Sequence, residues 1–179
     1  MEHTPDYEEV LLICNFDYEQ RSWGQMPDVI WKQLLIDLPK LSVTSFGLQD
    51  VHDLAAIRSF PLFRNVPLKS QGMREYSPYH AESSRQIMSF EIDEVVRSVI
   101  LSEDFDQWNR GNDDLCVDEL VFFTSESAKV LAVPYENIIK FFDLSRQELQ
   151  AVNELDPRVS QSLYDKDLKQ LKLIGGTIM

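Results

Sequence analysis

The sequence predicts an α+β fold, with helices packed on one face of an antiparallel sheet. Two observations lead to this prediction. The elements run in the order of a strand and helices, then strands, then helices, and two apolar runs near the centre are close enough to form a hairpin. The 179 residues contain no repeat and no low-complexity linker, so we expect a single globular domain over residues 1–179.

The N-terminal part is predicted to form one strand and two helices. Residues 8–16 form a short apolar run that is typical of a buried strand. Residues 27–40 carry Trp31 and several leucines at helical spacing between two prolines, which favours a helix. A shorter helix is expected over 51–58, with Asp50 as its N-cap.

The middle of the chain mixes irregular and extended patterns. Residues 61–78 contain three prolines and Gly72, and are expected to form a long irregular connection. Residues 84–93 alternate apolar and polar side chains as a strand does. In 94–101 the apolar spacing is helical, but four β-branched residues favour a strand or a strand-helix junction, which is our interpretation.

The stretch DELVFFTSESAKVLAVPYENI, residues 118–138, gives the clearest local prediction. Leu120–Phe123 and Lys129–Val133 are expected to form a hairpin, and the first strand is apolar on both faces, so it should be covered on both sides. Pro134 ends the second strand because it has no N–H to donate to the ladder.

Three helices are predicted after the hairpin. The first is short, lies within 135–144 and buries Ile138, Ile139 and Phe142. The second begins at a capping box of Ser145 and Glu148 and runs to about residue 154. The third begins at residue 156 and ends at the glycine pair 175–176.

The charge of the chain narrows the classes of partner. There are 30 acidic and 17 basic side chains, for a formal net charge of −13. This surplus opposes binding to nucleic acid and to anionic membrane surfaces, so neither is expected as a partner. It favours a partner protein with a basic surface, mimicry of nucleic acid, or a role only in keeping the protein in solution.

The cysteines and the N-terminal segment favour the cytoplasm. Cys14 and Cys116 are far apart in sequence, which fits neither a disulfide framework nor a zinc knuckle. The first residues are acidic and their apolar run is short, unlike a signal peptide, and no run has the length of a membrane helix. We therefore expect a reducing, cytoplasmic location.

No pattern indicates catalysis, a metal or a cofactor. The three histidines share no metal-binding spacing, and the glycine-rich nucleotide-binding motifs are absent. A small hydrolase-like enzyme stays open as an alternative, with a site assembled from scattered residues such as Asp53, His80 and Cys116.

The densest acidic segment, residues 102–119, contains the candidate site. A calcium loop does not fit, because Trp108 stands at a ligand position and the required glycine is missing. We predict that the segment binds a partner protein through its charge, with a tryptophan as aromatic anchor. The predicted partner-binding residues are Asp104, Asp106, Trp108, Asp113 and Asp114.

The alternative for this segment is that its acids are solvated and that Trp108 packs in the protein's own core. The predicted function is that of a non-enzymatic inhibitor or immunity-type protein that neutralises or regulates its partner. A third hypothesis is a structural or oligomeric component whose apolar hairpin pairs with another chain.

Overall fold

The computed structural model describes residues 7–13, 16–17, 22–23, 28–77, 84–108, 117–134, 138–155, 162–165 and 170–173. The strands within these residues are β1 Tyr7–Ile13, β2 Phe16–Asp17, β3 Ser22–Trp23, β4 Ser45–Leu48, β5 Ser70–Tyr76, β6 Arg85–Glu91, β7 Leu120–Phe123, β8 Ala128–Val133, β9 Ile138–Phe142, β10 Ser162–Asp165 and β11 Gln170–Leu173. The α-helices are α1 Asp28–Asp37, α2 Leu54–Ser59, α3 Glu94–Leu101 and α4 Arg146–Leu155, and 3-10 turns span Leu38–Leu41, Pro61–Phe63 and Phe105–Trp108.

One open antiparallel sheet organises the chain. Its strand order is β11-β10-β1-β9-β8-β7-β4-β6-β5, with β2 and β3 forming a separate small hairpin. Every described pairing in the large sheet is antiparallel. The predicted α+β class is therefore confirmed.

All the described helices bury residues against the same face of the sheet, as predicted. Trp31 of α1 lies 6.2 Å, between ring centroids, from Phe122 of β7, and Phe46 of β4 stacks on Phe63 at 5.4 Å. Burial of aromatic and branched side chains supplies most of the free energy that opposes chain entropy. The helices contribute to this cluster Trp31, Leu34, Leu35, Ile57, Val96, Ile100 and Val152.

The second face of the sheet is also apolar and buried. β7 and β8 place four residues there, Val121, Phe123, Leu131 and Val133, each at most 2% exposed. Ile87 of β6 belongs to the same cluster. The prediction that the hairpin is covered on both sides is confirmed.

Gly47 of β4 leaves room on the second face of the sheet for the side chain of Ile87 from β6. A Cβ atom at Gly47 would lie 2.5 Å from Ile87 Cδ1 and 2.9 Å from the backbone oxygen of Met88. Real Cβ atoms do not come so close to neighbouring atoms, so the packing of Ile87 requires glycine at this position.

The start of α2 differs from the prediction. Asp53, not Asp50, is the N-cap, and its carboxylate accepts a hydrogen bond from the Ala56 N–H at 2.7 Å. Asp50 lies in the preceding turn with φ +59°, a conformation that aspartate tolerates better than most residues. Both residues suit a cap by type, and the turn after β4 decides between them.

The expected irregular connection at 61–78, and the interpretation of 94–101 as a strand or a strand-helix junction, are both corrected. Residues 70–76 form β5, because the prolines of this region bound the strand without interrupting it. Residues 94–101 form α3, whose N-cap Asp93 accepts from the Val96 N–H at 2.8 Å. The helical spacing and the cap outweigh the β-branched composition there.

The helices predicted within 135–144 and after 156 are wrong over the residues that are described. Residues 138–142 form β9, which pairs with β1 on one side and β8 on the other. Residues 162–165 and 170–173 form β10 and β11, and β10 pairs with β1. Backbone pairing with strands distant in sequence overrides the local helical spacing. Residues 156–161 and 174–179 lie outside the described residues.

The capping box at the start of α4 is confirmed, and its glutamate also contacts a buried lysine of β8. Glu148 Oε2 accepts from the Ser145 N–H at 2.7 Å, and Ser145 Oγ accepts from the Glu148 N–H at 3.2 Å. Lys129 of β8, 7% exposed, donates to the same Glu148 oxygen at 3.0 Å and to the Asp143 carbonyl at 2.8 Å. This contact ties α4 to the sheet.

We predict that Gly47→Ala lowers the free energy of unfolding by about 1–3 kcal/mol, because the added methyl overpacks the site. Denaturant unfolding measures the change. Ile87→Val is the second arm, since it removes the nearest atom, Cδ1. In the Gly47→Ala background Ile87→Val should cost less than in the wild type, and equal costs in both backgrounds would contradict this account of the packing.

Glu148→Gln tests the α4 contact through its pH dependence. Burial raises the pKa of Glu148, but the Ser145 hydrogen bonds and Lys129 lower it by more, so the folded pKa lies below the ordinary 4.5. The stabilisation is therefore present above that value and is lost as the pH falls through the folded pKa. At neutral pH the variant should lose about 1–3 kcal/mol, and its stability should vary less with acidification than that of the wild type.

The control for this variant is Glu154→Gln, which changes an exposed glutamate of the same helix. Unfolding curves measured from neutral to acidic pH should show the wild-type slope for Glu154→Gln. An unchanged slope in Glu148→Gln would contradict the assignment.

Candidate functional site

The predicted partner-binding residues differ in their exposure and in whether the structure describes them. The Asp104 carboxylate lies 2.7 Å from Lys32 Nζ, and both side chains are about two-fifths exposed. Asp106 lies in the turn Phe105–Trp108, but its side chain is outside the described part. Asp113 and Asp114 also lie outside the described residues.

Trp108 does not have the predicted role of an exposed anchor. It is 0% exposed, with its ring centroid 6.4 Å from that of Phe63. Residues three apart in a 3-10 turn lie on the same side, so Phe105 and Trp108 both enter the core. The alternative considered above, in which Trp108 packs in the protein's own core, is the one observed.

This turn anchors the acidic segment to the scaffold. The Val117 N–H donates to the Trp108 carbonyl at 3.2 Å, so these two residues, which flank residues 109–116 in the sequence, lie next to each other. Trp108 and Val117 are both buried, whereas Asp118 is exposed. The tryptophan thus fixes the base of the segment from inside.

A polar cluster that includes Asp118 lies where the ends of four strands meet. Its five members are Gln49 after β4, Tyr76 at the end of β5, Arg85 at the start of β6, and Asp118 and Glu119 before β7. Antiparallel pairing brings these strand ends to one end of the sheet. We call these five residues the sheet-end cluster.

Hydrogen bonds connect all five members. The Tyr76 hydroxyl donates to Glu119 Oε2 at 2.6 Å, and Arg85 Nη1 lies 3.4 Å from the same oxygen. With its amide oxygen turned toward Arg85 and its nitrogen toward Asp118, Gln49 makes two further hydrogen bonds of 3.1 Å. The Gln49 N–H also donates to the Glu119 carbonyl at 2.9 Å.

Burial determines the protonation of the tyrosine. Tyr76 is 2% and Glu119 8% exposed. Burial raises the pKa of Tyr76, the hydrogen bond and negative charge of Glu119 raise it further, and Arg85 partly opposes both. The phenol therefore stays neutral at ordinary pH and remains a hydrogen-bond donor to Glu119.

The cluster displays negative charge and holds it in place. Asp118 is exposed, and the Gln49 amide is placed to donate to it. Burial lowers the pKa of Arg85, but Tyr76, Glu119 and the exposed Asp50 raise it by more. The charge of Arg85 is partly neutralised by Glu119. This arrangement suits electrostatic recognition of a cation.

The cluster is not apparent in the sequence. Its geometry depends on the pairing of β5 with β6, and β5 lies in the segment predicted to be irregular. The only trace in the sequence is that the acidic run ends with Glu119 directly before an apolar strand.

The structure bears differently on the two alternative functions. Of the proposed catalytic residues, Asp53 is used as the cap of α2, while His80 and Cys116 lie outside the described residues. Among the described residues, no group of three or more His, Cys, Asp or Glu could hold a metal ion. The apolar hairpin β7–β8 lies between β4 and β9, so neither of its strands is an edge of the sheet, and the hypothesis of a structural or oligomeric component stays a prediction.

Tyr76→Phe should lower the free energy of unfolding by about 1–3 kcal/mol, because the buried Glu119 carboxylate loses its closest donor. In the wild type the folded pKa of Tyr76 lies above the ordinary 10.0. The stabilisation from the neutral phenol is therefore complete below pH 10 and is lost as the pH rises through the folded pKa. The variant should show a smaller alkaline loss of stability than the wild type.

Denaturant unfolding at neutral and alkaline pH measures this difference, and phenolate absorbance follows the titration of the tyrosines. One phenol should resist ionisation in the folded wild type and be missing from the titration of the variant. If every tyrosine of the folded wild type titrated near pH 10, the buried hydrogen bond would be refuted.

None of the described helices is long and apolar enough to cross a membrane. Compared with protein-family models, with curated proteins and with solved structures, the chain matches none. Its function is therefore inferred from charge and geometry.

Proposed function

We propose that this protein is a non-enzymatic acidic protein that binds a basic surface of a partner protein and neutralises or regulates it, as inhibitors and immunity-type proteins do. The observation that carries the proposal is the net charge of −13. Around the acidic segment, Lys32 forms an ion pair with Asp104, and Arg85 forms one with Glu119. We expect Asp118, which is exposed, to face the partner.

The proposed surface combines the acidic segment with the end of the sheet. Asp104, Asp106, Asp113 and Asp114 supply charge along the segment. Asp118 continues the same surface toward the sheet-end cluster. Trp108 enters the proposal in a supporting role only, because it is buried.

The described residues that flank residues 109–116 support a binding role for this surface. Trp108 and Val117 are buried and joined by a backbone hydrogen bond, and the Gln49 amide is placed to donate to Asp118. Charges that are held in place before association need less ordering when the complex forms. Opposite charge on the partner also accelerates encounter, and salt screens this effect.

We further propose that the protein acts in the cytoplasm. The two cysteines are widely separated in sequence, and their number and spacing suit a reducing compartment.

Charge reversal at Asp113→Lys and Asp114→Lys should weaken partner binding about tenfold or more at low salt, because several attractive charge pairs become repulsive. The partner is first captured at low salt, and its affinity for purified variants is then measured over a range of salt concentrations. Wild-type binding should weaken as salt rises, and the double variant should show a smaller salt dependence.

The matched control is Glu126→Lys with Glu154→Lys, two exposed acids elsewhere on the protein whose reversal changes the net charge equally. This control should keep most of the wild-type affinity. Equal losses in both double variants would indicate a nonspecific charge effect, and binding that ignores salt and both reversals would refute the proposed function.

A further inference from the structure

Strand β5 forms one end of the large sheet. It pairs with β6, and no strand of the described part pairs with its other side. Met73 is 46% exposed, and Glu75 is exposed as well. An edge strand of this kind presents backbone donors and acceptors that another strand can bind.

The hydrogen bonds of β6 show which residues of β5 point outward. The Met88 N–H donates to Val51, beyond the end of β4, at 2.8 Å, whereas the Glu91 N–H donates to Lys69, before β5, at 2.8 Å. Successive residues of a strand alternate in direction, so Ile87 and Ser89 point to β5.

The partners of these two residues across the ladder are Arg74 and Gly72, which therefore point back to β6. Met73 and Glu75 alternate with them. Their N–H and C=O groups point away from the sheet and provide two donors and two acceptors for an added strand.

The free part of the edge is short. The register shifts between Ser70 and Gly72, and Gly72 has φ +90°. Such a bulge ends regular pairing on that side. Tyr76, at the other end, is buried in the sheet-end cluster. The free edge is therefore centred on residues 73–75, which suits one short segment better than open-ended stacking of sheets.

A second copy of this chain is a poor occupant of the edge. Antiparallel self-pairing through Met73 and Glu75 would place Arg74 directly opposite Arg74 of the second copy, and like charges in that position are destabilising. Arg74 is also held over the Phe123 ring, 5.3 Å from its centroid, and donates to the Thr124 and Ser125 carbonyls at 3.0 Å. Two copies with a charge of −13 each also repel one another.

We propose that the free edge of β5 binds an extended, basic segment of the partner, which adds to the sheet as a further strand. Glu75 provides a carboxylate for a cross-strand pair with a lysine or arginine. Beyond Tyr76 the edge leads to the sheet-end cluster with its exposed Asp118. The basic character of the segment rests on the proposed function, whereas the place of binding rests on the geometry of β5.

The probes are two peptides of equal length, one alternating lysine and valine and one alternating glutamate and valine. The lysine peptide should bind the wild-type protein with an affinity that falls with salt, and the glutamate peptide should not bind. In the complex, hydrogen exchange of the Met73 and Glu75 amides should slow about tenfold or more, because these amides become donors in the new ladder.

Two substitutions of Glu75 separate the contribution of its charge to binding from that of its backbone N–H. Glu75→Gln removes the charge and keeps the N–H, and should weaken binding a few-fold. Glu75→Pro also removes the outward N–H, and should weaken binding about tenfold beyond Glu75→Gln. Because this N–H is not bonded to β6, the proline variant should keep the wild-type fold, which far-ultraviolet circular dichroism checks.

The outcomes distinguish the two proposals. Salt-sensitive binding of the lysine peptide without protection at Met73 and Glu75 would refute docking on β5 and leave the proposed function standing. Absence of binding at low salt would also refute docking of a basic strand, while the charge-reversal experiment decides the proposed function independently. If Glu75→Pro fails to fold, the exchange measurement on the wild type still decides the matter.

Discussion

The contact of Ile87 with Gly47 is the constraint on which the polar end of the sheet depends. β5 and β7 are separated in the sheet by β6 and β4, yet Tyr76 of β5 reaches Glu119 before β7, and Arg74 reaches Phe123. A flat sheet would keep these side chains apart, so the sheet must curve across β4 and β6. A side chain at Gly47 would occupy the space that this curvature requires.

The curvature also explains how a charged residue is accommodated beside the second apolar cluster. An isolated carboxylate at the depth of Glu119 would be strongly unfavourable. Here the Tyr76 hydroxyl and the Arg85 guanidinium approach the same oxygen. Because Tyr76 is a cross-strand partner of Arg85, one strand pair supplies both groups. The buried acid thereby fixes the β5–β6 hairpin relative to β7, and this leaves Asp118 at the surface with a fixed direction.

The parts of the fold that the sequence predicts are those whose pattern is local. The strand Leu120–Phe123 and the capping box of Ser145 and Glu148 are set by adjacent residues and were predicted correctly. β9 was predicted as a helix because its apolar residues fit both periods over a short run, and its strand state comes from pairing with β1, which lies far away in sequence. In the candidate site, the sequence alone shows that residues 102–119 are acidic, but the 3-10 turn determines that the Trp108 side chain points into the core. The Tyr76–Glu119 bond depends on sheet curvature and has no local pattern at all.

In the proposed function, charge and edge geometry together select the partner. An edge strand normally risks pairing with copies of itself, and here three features oppose that: the bulge at Gly72, the position of Arg74, and the shared negative charge. The first limits the length of any added strand, the second disfavours the symmetric register, and the third repels every acidic chain. A short basic segment with an uncharged residue opposite Arg74 is opposed by none of the three, and it would gain attraction from the same charge that repels a copy. If the protein binds a partner as proposed, the acidic composition would discriminate between partners as well as attract them, and the short edge at residues 73–75 is the proposed place where both effects meet.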